Sequence, residues 1–183
     1  MKRIFDLAIA LLSLPVAVPV ILICMAAIRL SSPGPAVFRQ TRVGMHEKHF
    51  TCYKLRTMHV DTRDAPSHET PASAVIPLGR WLRRLKLDEL PQLWNILRGD
   101  MSFVGPRPCL PSQVELIEAR RRRGLYTIRP GITGVSQVAG IDMSDPELLA
   151  RSDADYFEDI SLKRDIGIVL LTITGAGRGD AVK

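Results

Sequence analysis

The feature that most constrains this chain is an almost unbroken apolar run from Leu7 to Ile28. About 20 such residues are needed to cross a bilayer as a helix, so the run is long enough to be a membrane segment. A cleaved signal peptide would also place basic residues, here Lys2 and Arg3, before an apolar stretch. The run is long for a signal, however, and has no clear small-residue cleavage site. We therefore expect an anchor that is retained.

Two prolines inside the run, Pro15 and Pro19, predict a sharp bend. Each removes a backbone donor and obstructs the carbonyl four residues earlier. Basic residues flank both ends of the run: Lys2, Arg3, Arg29 and Arg39. Because basic flanks tend to stay in the cytoplasm, this pattern favours a re-entrant hairpin over residues 1–32. A kinked helix that spans the membrane is the alternative.

The rest of the chain, residues 33–183, has the size of one compact domain. The formal net charge of +6 suits nucleic acid, anionic lipid and phosphorylated metabolites alike. The three cysteines, Cys24, Cys52 and Cys109, form no CxxC pair, so neither a zinc site nor a disulfide framework is expected. We infer a reducing compartment.

Local patterns predict an α+β domain that is mainly helical. Two β-prone runs, residues 37–43 and 50–55, flank Gly44 and predict a small hairpin. The polar stretch at residues 61–73, which contains His68, predicts a mobile loop. Helical spacing of apolar residues predicts helices at residues 78–87, 90–97, 113–123, 146–157 and 162–173.

The clearest of these helices follows two adjacent carboxylates, Asp88 and Glu89. Its apolar residues obey the i, i+3, i+4, i+7 rule, and Gly99 stands where helix ends favour glycine. We expect Asp88 to be the N-cap and Glu89 the first helical residue, with Pro91 in the first turn. Free N–H groups at such an end suit a carboxylate or an approaching phosphate. An ordinary helix cap fits the same pattern equally well.

The surroundings of the acidic pair favour phosphate chemistry. Four basic residues precede it: Arg80, Arg83, Arg84 and Lys86. A loop rich in glycine and proline follows the helix at residues 99–108, and such a loop with arginines can hold phosphates and a flat ring. Adjacent residues in a helix point about 100° apart. Asp88 and Glu89 are therefore expected to do different jobs, with one attacking and the other holding a metal ion.

Three motifs, in this order, resemble one family. They are Leu87-Asp88-Glu89-Leu90-Pro91-Gln92-Leu93-Trp94-Asn95, Gly99-Asp100-Met101-Ser102-Phe103-Val104-Gly105-Pro106-Arg107-Pro108 and Arg129-Pro130-Gly131-Ile132-Thr133-Gly134. Residues 2–6 and 53–58 match as well, so the resemblance covers nearly the whole chain. The sequence is identified as a member of the bacterial sugar transferase family, and it is similar in particular to the small monotopic phosphoglycosyl transferases.

The resemblance implies a reaction and a cellular location. A sugar 1-phosphate would pass from a UDP-sugar to polyprenol phosphate, with release of UMP, at the start of glycoconjugate assembly. Residues 1–32 would form the re-entrant hairpin, and residues 33–183 a small catalytic domain on the cytoplasmic face of the bacterial inner membrane. Membrane lipid is an expected partner, nucleic acid is not, and a homodimer is left open. The sugar, the polyprenol and the pathway are not specified.

The resemblance also assigns roles to residues. Asp88 would be the nucleophile that carries the phosphosugar as an acyl phosphate, and Glu89 would bind Mg²⁺. The expected substrate-binding residues are Arg83, Arg107, Arg129 and Pro106. Mg²⁺ commonly uses one or two protein carboxylates together with substrate phosphates, so no histidine cluster is required.

A second hypothesis is a membrane-tethered binder of nucleic acid or acidic lipid that has no catalytic activity. It rests on the positive charge and on the run Arg120-Arg121-Arg122-Arg123. That run predicts either a solvated basic face or contact with anionic lipid head groups. Because the chain lacks the alternation of aromatic and basic residues that single-strand binders use, the transferase is the preferred hypothesis.

Overall fold

The computed structural model describes residues 1–62 and 71–175. In chain order its helices and strands are α1 (Lys2–Ser31), β1 (Val37–Val43), β2 (His49–Leu55), α2 (Pro77–Arg84), α3 (Gln92–Arg98), β3 (Ser102–Val104), α4 (Val114–Arg122), β4 (Gly131–Thr133), α5 (Val135–Val138), α6 (Pro146–Glu158) and α7 (Leu162–Ile173). The mainly helical α+β class and the five predicted helices are confirmed. The short helix α5 is additional.

Strands β1 and β2 form the predicted antiparallel hairpin, in which Gln40 lies opposite Cys52. A short 3₁₀ turn, Met45–Glu47, connects them. Cys52 and Leu55 of β2 are buried and pack on separate hydrophobic clusters. The mobile loop was predicted at residues 61–73, and residues 63–70, including His68, lie outside the described residues.

The predicted helix cap at Asp88 is wrong. A 3₁₀ turn spans Leu87–Glu89, and α3 begins only after Pro91. Proline has no N–H, so the carbonyl oxygen of Leu87 cannot receive the usual α-helical hydrogen bond from it. That oxygen instead accepts from Leu90 N at 3.3 Å. Asp88 therefore lies inside a tight turn rather than at the end of the helix.

Strands β3 and β4 form a parallel pair that brings two of the sequence motifs together. Ser102 lies opposite Gly131, and Val104 lies opposite Thr133. Just beyond β3, Gly105 N donates to Thr133 O at 2.9 Å. A Cβ atom on Gly131 would lie 2.1 Å from Gly105 N, so the close approach of the two backbones requires glycine. The loop after β3 is thus fixed against β4.

The long helix α1 packs along the rest of the protein through one face. Its buried residues recur at helical spacing: Asp6, Ala10, Ala17, Cys24 and Ile28. Large apolar residues are exposed on its other side, among them Leu11, Leu12, Val16, Leu22, Ile23 and Leu30. The helix is long and apolar enough to cross a membrane, with a mean hydropathy of 2.7. It continues through Pro15 and Pro19, so the backbone has no break of the kind expected for a hairpin.

Both ends of α1 are fastened to the same domain. Lys2 Nζ lies 2.5 Å from the buried carboxylate of Asp165 in α7. Arg3 donates to the main chain at the carboxyl end of α3 at 2.7 Å. At the other end of the helix, Arg56 donates to Ser32 O at 2.9 Å. The flanks of the apolar run therefore meet one folded unit.

The arginine run at residues 120–123 is solvated only in part: Arg121 and Arg122 are more than half exposed, as the sequence predicts, but the first arginine of the run is buried. Arg120 is only 2% exposed, and its guanidinium lies 2.6 Å from Asp153. The other three arginines pair with acidic residues: Glu47, Glu118 and Glu147. These partners are supplied by other elements or by the preceding helical turn, and they neutralise the run.

Candidate active site

The acidic pair lies in the 3₁₀ turn Leu87–Glu89, which packs against β2 and leads into α3. The turn follows Lys86, whose φ of 56° is left-handed. A non-glycine residue in that conformation is uncommon and is often found at functional sites. Asp88 is 9% exposed and the Glu89 side chain 15% exposed. Both carboxylates are thus largely withdrawn from water without being sealed off.

Two cations hold Glu89 in its ionised form. Lys54 Nζ lies 2.7 Å and Arg107 Nη2 lies 3.0 Å from the same oxygen, Oε1. Burial raises the pKa of Glu89, but the Lys54 ammonium and the Arg107 guanidinium lower it by more. The resulting pKa lies well below the usual range, so Glu89 is a carboxylate at physiological pH.

Asp88 is affected in the opposite direction. Burial is the largest influence and raises the pKa of Asp88, and the neighbouring Glu89 carboxylate raises it further. Lys54, Arg83 and Arg107 lower that pKa but do not offset the increase. Two adjacent acids in one turn therefore differ in proton affinity, and such a difference is typical of pairs with separate chemical roles.

This arrangement suits attack on a phosphate group. The Asp88 carboxylate is more basic than that of an ordinary aspartate, and basicity favours nucleophilic attack. The charges of Lys54, Arg83 and Arg107 reach the same position and can neutralise a phosphate that approaches it. Glu89 contributes a permanent negative charge beside them.

The loop that carries Arg107 is held by its backbone. Three donors bind three successive carbonyl oxygens: Gly131 N to Pro106 O (3.0 Å), Arg120 Nη1 to Arg107 O (2.7 Å) and Arg42 Nη1 to Pro108 O (2.8 Å). The side chain of Arg107 therefore reaches Glu89 from a fixed position. This restraint matters because a site must be held to within a fraction of an ångström to be effective.

The structure brings Asp88, Glu89, Arg83 and Arg107 into one electrostatic cluster. Pro106 supports the loop through its carbonyl oxygen. Arg129 Nε donates to Gly99 O at 2.8 Å, at the carboxyl end of α3, and the substrate-binding role of Arg129 stays a prediction.

Sequence reasoning missed two residues of this region. Lys54 lies in a segment that matches the family, but 35 positions separate it from Glu89 and no local pattern joins them. Only the pairing of β2 with the turn reveals the contact. Arg120 was hidden within a basic run, although it holds the main chain of Arg107.

A magnesium ion fits the donor chemistry of this site. In residues 1–62 and 71–175 no group of three or more histidine, cysteine, aspartate or glutamate side chains forms a dedicated cage. Mg²⁺ usually binds through one or two carboxylates and substrate phosphates, so the acidic pair is a sufficient protein contribution. Glu89 is ionised and would be the carboxylate that holds the metal.

Comparison with known proteins finds a matching family and several relatives. The sequence profile described as bacterial sugar transferase matches residues 1–178. A UDP-glucose:undecaprenyl-phosphate glucose-1-phosphate transferase of Caulobacter vibrioides is 42% identical and covers 94% of this chain and 68% of its own length. The uncharacterized sugar transferase EpsL of Bacillus subtilis is 39% identical, with coverage of 94% and 85%.

A longer relative is the UDP-glucose:undecaprenyl-phosphate glucose-1-phosphate transferase of Escherichia coli, which is 39% identical. The match covers 94% of this chain and 39% of the length of that relative. The long apolar helix, the family match and these relatives together indicate a membrane-associated sugar-1-phosphate transferase. The chain belongs to the bacterial sugar transferase family. The family predicted from the three motifs is thereby confirmed.

Proposed function

We propose that this enzyme transfers a sugar 1-phosphate from a UDP-sugar to polyprenol phosphate through a covalent intermediate on Asp88. The observation that carries the proposal is the acidic pair itself. Burial raises the pKa of Asp88, whereas Lys54 and Arg107 keep Glu89 ionised. The names of the relatives, which include undecaprenyl-phosphate as acceptor and UDP-glucose as donor, support the same reaction.

In the first step, an oxygen of Asp88 attacks the phosphorus that carries the sugar. A bond forms between that oxygen and the phosphorus, and the bond from the phosphorus to the bridging oxygen breaks. UMP leaves with the bridging oxygen and its electron pair. Arg83, Arg107 and Lys54 surround Asp88 with positive charge, which stabilises the diphosphate as it divides.

In the second step, a phosphate oxygen of polyprenol phosphate attacks the phosphorus of the acyl phosphate. The Asp88 carboxylate leaves, and a polyprenyl diphosphosugar is formed. Mg²⁺ held by Glu89 would neutralise diphosphate charge during this chemistry. Splitting the transfer into two displacements allows the polar donor and the lipid acceptor to use the same group in turn.

The proposed location is the cytoplasmic side of the bacterial inner membrane. UDP-sugars are made in the cytoplasm, so the acidic pair must face it. Lys2 and Arg3 at one end of α1, and Ser32 at the other, contact the same domain. A helix that crossed the bilayer completely would separate one of these ends from its partners. We therefore favour an anchor with both ends on one side, a re-entrant arrangement that requires α1, which is continuous in the structure, to bend at Pro15 and Pro19 in the bilayer.

Cysteine labelling tests this topology. The variants Ile4→Cys and Ser31→Cys place thiols on exposed residues near the two ends of α1. In inside-out membrane vesicles, a membrane-impermeant maleimide should label both positions. Labelling of only one position would contradict the arrangement with both ends on the cytoplasmic side.

The reaction itself is tested by isotope exchange. A covalent intermediate predicts that labelled UMP enters UDP-sugar in the absence of any acceptor, because the first step is reversible. Mass spectrometry of the denatured enzyme should find the phosphosugar on the peptide that contains Asp88. If exchange required polyprenol phosphate, a direct transfer within a ternary complex would replace the proposed mechanism.

No observation favours the nucleic-acid binder. Its main support was the arginine run, and those four side chains are buried or paired with acids.

A further inference from the structure

A cavity of about 270 Å³ lies between α1, the hairpin and α3. The side chains of Leu14, Val18 and Ile21 form the wall that α1 contributes. The described residues that line the cavity are apolar except for two that carry a polar atom, Tyr53 and Trp94. Within residues 1–62 and 71–175 no charged group lines it, so it is unsuited to a nucleotide or a sugar.

The cavity directly adjoins the acidic pair along the chain. Leu90 and Pro91, which line it, are the two residues after Glu89. Tyr53, on another wall, precedes Lys54, which contacts Glu89 at 2.7 Å. The backbone segments that position the charged cluster therefore also form the cavity.

The cavity is also open towards the apolar surface of the anchor. Val18 lines it and is 45% exposed, and Trp94 lines it and is 56% exposed. The adjoining part of α1 contains Pro15 and Pro19, and neither proline can donate a hydrogen bond to the preceding turn. The cavity thus opens at the exposed apolar surface of α1, and Leu90 and Pro91 in its lining directly follow Glu89 in the chain.

We propose that this cavity holds the part of the acceptor's apolar chain that lies next to its phosphate. The inference rests on the proposed function, which requires a phosphorylated, membrane-embedded alcohol to bring its phosphate to Asp88. A cavity of about 150 Å³ holds the six carbons of benzene. By proportion, about 270 Å³ has room for roughly ten carbons, or two isoprene units.

Filling the cavity tests the proposal. Val18→Phe places a larger side chain in the cavity, and Val16→Phe makes the same change on an exposed part of α1 two residues away. We expect Val18→Phe to raise the KM for undecaprenyl phosphate about tenfold, because it displaces part of the chain. The accompanying change in acceptor-independent UMP exchange should be much smaller. Val16→Phe should alter neither quantity.

Two results would overturn the inference. One is an unchanged acceptor KM in Val18→Phe. The other is a parallel loss of exchange and acceptor use, which would indicate general damage to the enzyme.

Trp94 provides a direct measure of binding that does not need turnover. The chain has two tryptophans, so Trp81→Phe leaves Trp94 as the only one. Farnesyl phosphate should shift the fluorescence of this variant to shorter wavelength in a saturable manner, farnesol should do so more weakly, and inorganic phosphate should have no effect. In the matched variant Trp94→Phe the response should be lost. Equal responses in both variants would place the chain elsewhere.

The two proposals fail in different ways. Binding of farnesyl phosphate at Trp94 without any UMP exchange would refute the proposed reaction and retain the cavity as a binding site. UMP exchange with neither a Trp94 response nor an effect of Val18→Phe would retain the reaction and refute the cavity.

Discussion

Two clusters of arginine and carboxylate lie close together in this enzyme and differ in how their charges are balanced. In the first, Arg120 and Asp153 are both about 3% exposed and form two hydrogen bonds, at 2.6 and 3.0 Å. Ser136 Oγ binds the other oxygen of Asp153 at 2.7 Å. One positive charge meets one negative charge, and the pair is closed to water.

The cluster at the acidic pair is balanced differently. Glu89 takes two cations on a single oxygen, while the adjacent Asp88 is left with a raised pKa. Such a group is costly to keep ionised, and that cost is tolerable in a site whose purpose is to react. The comparison teaches that burial and arginine do not by themselves identify an active site. An active site is better identified by two neighbouring carboxylates that share the nearby positive charges unequally.

The largest expected effect comes from removing the reactive group of the second cluster. Asp88→Asn keeps the shape of the side chain but removes the nucleophile, so UMP exchange should fall by at least about 10³-fold. Its thermal stability should equal or exceed that of the wild type, because a buried group with a raised pKa no longer has to ionise. Exchange assays and thermal melts measure the two quantities. Retention of wild-type exchange would refute the assignment of Asp88.

The closed cluster should respond in the reverse manner. Asp153→Ala leaves Arg120 buried without its partner and should cost about 3 kcal/mol of stability. For a chain of this length, the melting temperature should fall by roughly 10 °C. Glu147→Ala removes a carboxylate that is 44% exposed and paired with arginines of the same run, and it should leave the melting temperature unchanged. Similar losses in both variants would abolish the distinction between buried and exposed pairs.

A smaller effect should follow from weakening the balance at Glu89. Lys54→Met removes one of the two cations that contact Glu89. The remaining charge of Arg107 should preserve part of the activity. Loss of a charge-assisted hydrogen bond should reduce UMP exchange about tenfold. Lys54→Arg retains the charge and should recover much of that loss. If Lys54→Met exchanged UMP at the wild-type rate, its contact with Glu89 would have no role in the reaction.

The smallest effect is a difference in pH dependence. A raised pKa means that the folded enzyme favours the protonated form of Asp88. The contribution of this preference to the free energy of unfolding is complete below the ordinary pKa of 3.8 and is lost as the pH rises through the raised pKa. The wild type should therefore lose stability relative to Asp88→Asn over that interval, by about 1.4 kcal/mol for each pH unit it spans. Melting curves of both proteins against pH measure this difference. Parallel curves would show that the pKa of Asp88 is not raised.

Local sequence patterns were sufficient for much of the fold. The i, i+4 spacing of Leu90, Trp94 and their neighbours located α3, and Gly99 marked its end with a φ of 91°. The position of Asp88 within a 3₁₀ turn was missed because capping statistics do not include the effect of Pro91 on the preceding carbonyl.

Long-range electrostatics was the part that sequence could not supply. Lys54 and Glu89 are brought together by tertiary packing, and the partner of Arg120 lies 33 residues away in α6. Arg129 is expected at the substrate on the basis of its motif, and that role stays a prediction, whereas the tight pairing of Gly105 with Gly131 that the same motif builds is seen in the structure. The same residues thus serve both backbone packing and chemistry, and a motif alone does not separate the two.

The attachment of α1 at both ends has a practical consequence for handling the enzyme. Ala10 and Ala17 share a hydrophobic cluster with Leu93 and Ile96 of α3, so residues 1–31 cannot be deleted as if they were a detachable tether. Truncation would expose the underside of the helix that follows the acidic pair and would leave Asp165 buried without Lys2. A soluble fragment made in this way should aggregate. Purification in detergent or lipid nanodiscs, with the first helix intact, is the route to an active preparation.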